Sequence, residues 1–156
     1  MKPFRIVIFI VAIVAGITGY FNAKSKRSNS VTSSSGETIV YLPTNDQELK
    51  AAADKAREQW SQFTTEFNQH QSTMDFSVKA PLPTKDGSAE HIWIAVTSIE
   101  NETIRGTLAN DPYEDIGFKN GDPVTVQLAT IDDWLIRKGD KIVFGGFSLE
   151  VLKKHK

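Results

Sequence analysis

Two short polar pairs, Glu90-His91 and Asp132-Asp133, carry the residue types best suited to chemistry in this chain. An imidazole oriented by a carboxylate is the working pair of general-base catalysis, and histidine is the side chain that titrates near neutrality. His91 is two residues from Trp93 and Asp133 adjoins Trp134, so the two tryptophan-bearing segments are expected to meet across a sheet. That would bring His91 to Asp133 or Glu90. In one reading His91 is the base and Asp133 the orienting carboxylate of a small hydrolase, with Glu90 a further catalytic candidate. In the other, a carboxylate merely accepts a hydrogen bond from His91 at the sheet edge. The second is favoured because no nucleophile in a recognisable setting accompanies the pair. Ser88 and Ser98 lack the Gly-x-Ser-x-Gly elbow, and Gly145-Gly146 lacks the rest of a phosphate loop. Trp93 and Trp134 are candidate binding residues, since aromatics beside polar groups suit a recognition surface, although plain core packing is the commoner use of tryptophan.

The sequence contains no cysteine, which excludes disulfides, a thiol nucleophile, cysteine-ligated zinc, iron–sulfur clusters and a lipid on cysteine. The three histidines, His70, His91 and His155, lie in three separate segments. Metal sites need several converging ligands, so neither a metal nor another cofactor is expected.

These side chains must be positioned by regular elements. Overlapping capping patterns at Thr44/Gln47 and Asn45/Glu48 predict a helix start. Leu49, Ala53, Ala56, Trp60, Phe63 and Phe67 then follow at spacings of three and four, which places them on one stripe against a sheet. Past His70 the period becomes two. Met74, Phe76, Val78 and Ala80 alternate with polar residues as in a half-buried strand, which Pro81 and Pro83 are expected to end. Glu90 to Ser98 is apolar on both faces and reads as a central strand. Thr103–Leu108, closed by Asn110-Asp111-Pro112, and Val124–Leu128 read as further strands. Trp134–Ile136 and Ile142–Phe144 flank a Lys138-Gly139-Asp140 turn and read as a hairpin. Phe147 to Leu152 fits either a strand or a short helix. The expected fold is α+β, one long N-terminal helix packed on a mainly antiparallel sheet of five to six strands.

Upstream of this domain the composition changes. The 156 residues carry 18 basic and 19 acidic groups for a net charge of −1. Lys2, Arg5, Lys24, Lys26 and Arg27 against Glu37 leave +4 on residues 1–38, so the remaining 118 residues carry −5. An acidic domain argues against nucleic acid as a partner. Residues 6–23 form an 18-residue run without charge, between the 7–15 of a signal-peptide core and the roughly 20 of a spanning helix. Phe21 would occupy the −3 position for cleavage after Ala23, where a small residue is wanted. Residues 1–23 are therefore read as a single transmembrane anchor, with a cleaved signal peptide as the alternative. Residues 24–38, with six serines, read as a flexible linker, and residues 39–156 as one globular domain. The default orientation exports the domain, so that it faces away from the cytoplasm. A secreted or periplasmic protein is the alternative. The membrane is the expected partner of residues 6–23, and an unidentified protein or small molecule that of the domain.

The bacterial assignment rests on a resemblance. Phe76-Ser77-Val78-Lys79, Asp86-Gly87, Glu90-His91-Ile92-Trp93, Gly106-x-Leu108-x-Asn110-x-Pro112, Lys119-x-Gly121-Asp122, Ile131-x-Asp133-Trp134 and Gly145-Gly146 follow one another in an order that resembles the YegJ-like bacterial domain of unknown function. The preceding helix, with Ala53-x-x-Ala56-Arg57, is similar too, and the likeness spans about residues 47–152. It implies a small bacterial protein, often exported or membrane-tethered, with no established activity, which puts the expected anchor in the bacterial inner membrane with the domain periplasmic or extracellular. Within that likeness Asn110 joins the two tryptophans as a candidate binding residue. The function expected is a membrane-tethered binding or interaction module of the bacterial envelope, and the hydrolase is the alternative.

Overall fold

The computed structural model describes residues 29–32, 38–41 and 46–154. The expected anchor at 6–23 lies outside the described residues, and so do the capping candidates Thr44 and Asn45. Among the described residues, no helix is long and apolar enough to cross a membrane. Within the serine-rich stretch and just after it, β1 (Asn29–Thr32) pairs antiparallel with β2 (Thr38–Tyr41) as a separate two-stranded sheet.

The long helix forms as two. Helix α1 (Gln47–Glu58) is followed by α2 (Trp60–His70), and Gln59 between them leaves helical geometry. The cap falls on Asp46, whose carboxylate accepts the amides of Glu48 and Leu49 at 2.9 and 3.0 Å and so satisfies two of the orphan donors at the helix start. The apolar stripe survives the break but serves two neighbours. Trp60, Phe63 and Phe67 pack on the sheet, whereas Leu49 and Ala52 pack on Val151 and Leu152. The latter belong to α3 (Phe147–Lys153), which resolves the ambiguous C-terminal run as a helix.

Six strands make one antiparallel sheet: β3 (Asp75–Pro83), β4 (Ala89–Glu100), β5 (Thr103–Leu108), β6 (Pro123–Gln127), β7 (Asp133–Lys138) and β8 (Lys141–Gly145). Their spatial order is β6-β5-β4-β3-β7-β8, so β4 is central as its two-faced apolar pattern predicts. Strand β3 runs on through Pro81 and Pro83, contrary to the expectation that they end it. Its pairing with β7 stops at Lys79–Asp133, while its pairing with β4 continues to Pro83–Ala89. A proline beyond Lys79 thus costs no ladder bond to β7, the condition under which sheets tolerate it.

The core lies between the helices and one face of the sheet. Phe76, Val78, Ala80, Ile92, Ile94, Trp134 and Ile136 point into it with Phe63 and Phe67. The Phe63 ring lies 5.4 Å from that of Trp134, and Phe67 meets Phe76 edge-on at 5.2 Å. Such pairs add about 0.5–1.5 kcal/mol each beyond area burial. Because strand side chains alternate, Ser77, Lys79, His91, Trp93 and Ala95 share the opposite face.

Candidate functional site

The partner of His91 is Asp132, not Asp133. His91 Nδ1 lies 2.5 Å from Asp132 Oδ2, with the two side chains 16% and 29% exposed. An ionised carboxylate can only accept, so Nδ1 is the donor in this pair. Nε2 is buried and has no hydrogen-bond partner among the described residues. Asp132 is held on both sides. Its own amide donates to the Lys79 carbonyl at 2.8 Å, and the carbonyl of the fully buried Ile131 accepts from Arg57 Nη1 at 2.6 Å. The bond at Nδ1 thereby fixes the orientation of the ring.

Asp133 does something different. It accepts from the amides of Trp134, Phe147 and Ser148 at 2.8, 3.1 and 2.8 Å, and from Ser148 Oγ at 2.6 Å. It therefore caps α3 from a neighbouring strand, because Gly146 at the cap position has no side chain to do so. Burial pushes its pKa up, against the lowering effect of those hydrogen bonds. Glu90 is also structural. It shares the core-facing side of β4 with Ile92, is 1% exposed, and accepts the amides of Tyr113 and Glu114 at 3.0 and 2.8 Å. It pins the 109–122 loop, and burial raises its pKa too.

The two tryptophans do not form one platform. Val78 pairs with Trp134 and Lys79 with Trp93, so the rings stand on opposite faces of the sheet. Trp134 is fully buried under the helices, with Nε1 donating to the Ala56 carbonyl at 2.7 Å. Trp93 is the one of the two that shares the face of His91, and it too is buried, 4% exposed. Asn110 is buried as well. Its Oδ1 accepts the Trp93 amide at 3.4 Å and its Nδ2 donates to the Asp111 carbonyl at 3.3 Å, so it ties the loop to β4.

The residue that sequence reasoning passed over is Lys79. It is 2% exposed, and its ammonium lies over the Trp93 ring at 5.9 Å. Burial pushes its pKa down, and the charges of Asp132 and Asp133 partly oppose that shift. Its burial follows from topology. Strands β4 and β7 flank β3, so the bond between His91 and Asp132 passes over β3, whose outward side chains there are Lys79 and Pro81. A lysine in an alternating strand pattern reads as solvent-facing, and only the sheet order could reveal the bridge above it.

A groove of about 510 Å³ opens elsewhere, among Leu82, Thr97, Arg105, Thr107, Phe118 and Thr125. Neither His91 nor Asp132 lines it. Its arginine is engaged by Glu100 at 2.8 Å.

Residues 46–155 match the bacterial family described as "Uncharacterized protein conserved in bacteria (DUF2314)". The chain belongs to that family. It is 29% identical over 116 residues to the uncharacterized protein YegJ of Escherichia coli K12, covering 74% of each chain. It is also 28% identical over 127 residues to a putative ankyrin repeat protein of Neisseria meningitidis serogroup B, across 76% of this chain and 50% of the relative. This chain thus spans about half the length of the second relative. No solved structure matches. The DUF2314 match covers His91, Trp93, Lys79 and Asp132 together.

Proposed function

We propose that this DUF2314 domain is a binding module of the bacterial envelope whose recognition surface is the sheet face bearing Lys79, His91 and Trp93. The observation that carries the reading is His91 Nε2, a buried polar atom without a partner among the described residues, on a ring whose other nitrogen is fixed by Asp132. Buried polar groups are nearly always paired, and exceptions point to a role. The buried carboxylates Asp133 and Glu90 are paired several times over. Recovery from envelope extract by the full chain should fall in His91→Gln and Trp93→Phe while thermal unfolding stays cooperative. Equal recovery by wild type and both variants contradicts the reading.

Residues 6–23 are proposed as the anchor that holds this module at the inner membrane with its domain outside the cytoplasm, a cleaved signal being the alternative. An intact Met1 in the membrane pellet supports the anchor. A mature terminus at residue 20 or beyond in the soluble envelope fraction supports secretion.

The hydrolase reading is favoured by one feature, a His91 ring oriented through Nδ1 by Asp132 with Nε2 left unengaged among the described residues. Among the described residues no hydroxyl is hydrogen-bonded to that nitrogen, so the nucleophile would be water. His91-dependent turnover in an ester, amide and phosphate panel would establish the enzyme.

A further inference from the structure

We infer that the open edge of strand β8 is completed by strand β2 of the same chain, which adds to it in parallel. Both strands end a sheet among the described residues. β8 is last in the order β6-β5-β4-β3-β7-β8, and β2 has β1 on one side only. An open edge presents a row of unpaired amides and carbonyls, which proteins blunt with charges or cover with another segment. β8 has one charge, Lys141 at its start, and then Ile142, Val143 and Phe144 in succession, 47%, 40% and 37% exposed. These are three of the five large apolar side chains left exposed among the described residues, so the exposure is concentrated where the sheet lacks a neighbour. An apolar run without alternation is the pattern of a strand covered on both faces.

β2 has the matching pattern. Its Ile39-Val40-Tyr41 is also apolar without alternation, whereas β1 reads Asn-Ser-Val-Thr. A two-stranded hairpin alone is marginal in water and is stabilised by a third strand. Joined to β8, the apolar β2 becomes internal and the polar β1 becomes the new edge, which needs no further cover.

Chain length fixes the direction of the pairing. Asp46, the cap of α1, is five residues beyond Tyr41, a reach of at most about 18 Å. The start of α1 lies beside the end of α3, where Lys154 meets Glu48 at 3.2 Å, and farther along α1 Lys55 lies over the Phe147 ring. Helix α3 is therefore antiparallel to α1. It begins two residues past the end of β8 and packs on Leu49 and Ala52 of α1, so it leads away from the strand. A seven-residue helix spans about 10 Å and packed helices lie about 8–10 Å apart, which puts Asp46 roughly 14 Å from the C-terminal end of β8. Tyr41 can reach that end, but not the start of β8, about 13 Å farther on. Tyr41 thus lies beside Phe144 and Thr38 beside Lys141. Glu37 then falls next to the exposed Lys138 and Lys141, an arrangement of complementary charge. With residues 6–23 taken as the anchor, a consequence that rests on that reading, only residues 24–28 separate the membrane segment from the sheet. The domain is then held within about 20 Å of the bilayer.

The chain has no cysteine, so introduced pairs read the contact directly. In the full chain in detergent micelles, Val40→Cys with Val143→Cys should close an intramolecular disulfide at least tenfold faster than Ser34→Cys with Val143→Cys, which shares the same connection. Tyr41→Cys with Phe144→Cys should close as readily, and Thr38→Cys with Phe144→Cys at least tenfold more slowly. Amide exchange gives a second measurement that needs no cysteine. The amides of β8 should exchange at least tenfold faster in the Ile39→Asp, Val40→Asp double variant, whose changes lie outside residues 46–154. Equal closure rates for the Val40 and Ser34 pairs, or β8 amides unaffected by the aspartates, overturn the pairing. Faster closure of the Thr38 pair overturns its direction, and disulfides formed only between chains assign the edge to a second copy instead. All these readouts hold wherever the chain fractionates, so a mature terminus at residue 20 or beyond removes the membrane consequence and leaves the pairing standing.

Discussion

His91 and Asp132 meet at 2.5 Å although they are 41 residues apart, and the strand between them in space carries Lys79 beneath their bond. Two adjacent aspartates are thereby given separate tasks. Asp132 orients the imidazole, and Asp133 begins a helix.

That division predicts opposite phenotypes for two neighbouring substitutions. Asp133→Ala leaves the amides of Phe147 and Ser148 and the Ser148 hydroxyl without their acceptor, and should cost about 2–4 kcal/mol from several buried donors left unpaired. Asp132→Asn, at a more exposed site, should change stability by less than about 1 kcal/mol while altering the hydrogen bonding of the His91 ring. Urea unfolding of the two variants, with nitrogen resonances of His91 in the second, checks both halves.

Lys79→Met should stabilise the domain at neutral pH by about 1–3 kcal/mol, since it replaces a buried charge by an apolar chain of similar length. Burial holds the folded-state pKa of Lys79 below the ordinary lysine value of 10.5. Between those two values the unfolded chain binds more protons, so wild-type stability rises as pH rises through that window. The advantage of Lys79→Met should therefore shrink towards pH 10. Unfolding curves of both proteins between pH 7 and pH 10 would show an unchanging gap if the lysine were not buried.

The tryptophans should separate in the same way. Trp134→Phe loses the bond to the Ala56 carbonyl and opens space beside Phe63 and Phe147, at a cost of about 2–4 kcal/mol. Trp93→Phe keeps an aromatic face on Lys79 and should cost less, about 1 kcal/mol, while weakening capture. Equal destabilisation in denaturant would contradict their placement on opposite faces.

Two glycines offer a conformational control. Both Gly139 and Gly145 have positive φ, at 58° and 75°. A Cβ on Gly139 meets nothing within 4 Å, whereas one on Gly145 would overlap the Trp134 carbonyl oxygen and ring. Gly139→Ala should cost about 1 kcal/mol from backbone strain alone. Gly145→Ala should cost several times that or prevent folding, read by thermal melting and expression of soluble protein.

Much of this fold was legible because the relevant signals are local. The period-two runs of Phe76–Ala80 and Ile92–Val96 place their strands and faces, and the stripe through Trp60, Phe63 and Phe67 places the second helix on the sheet. The break at Gln59 was not legible, since no proline or glycine marks it and the apolar stripe continues across it. Phe147–Leu152 was ambiguous because its helical start is capped by Asp133, fourteen residues away from Phe147. The candidate site was half legible. His91 stood out by type, but its partner depends on which aspartate looks across β3. The burial of Lys79 depends on β7 lying beside β3, a non-local pairing that no pattern within β3 encodes.

The most direct test follows the His91 Nε2 nucleus in the full chain, free and then saturated with whatever it captures from envelope extract. The binding-face account predicts that the Nε2 resonance moves on saturation and that the His70 ring, at the end of α2, does not. An unchanged His91 spectrum at saturation would mean that recognition takes place elsewhere on the domain.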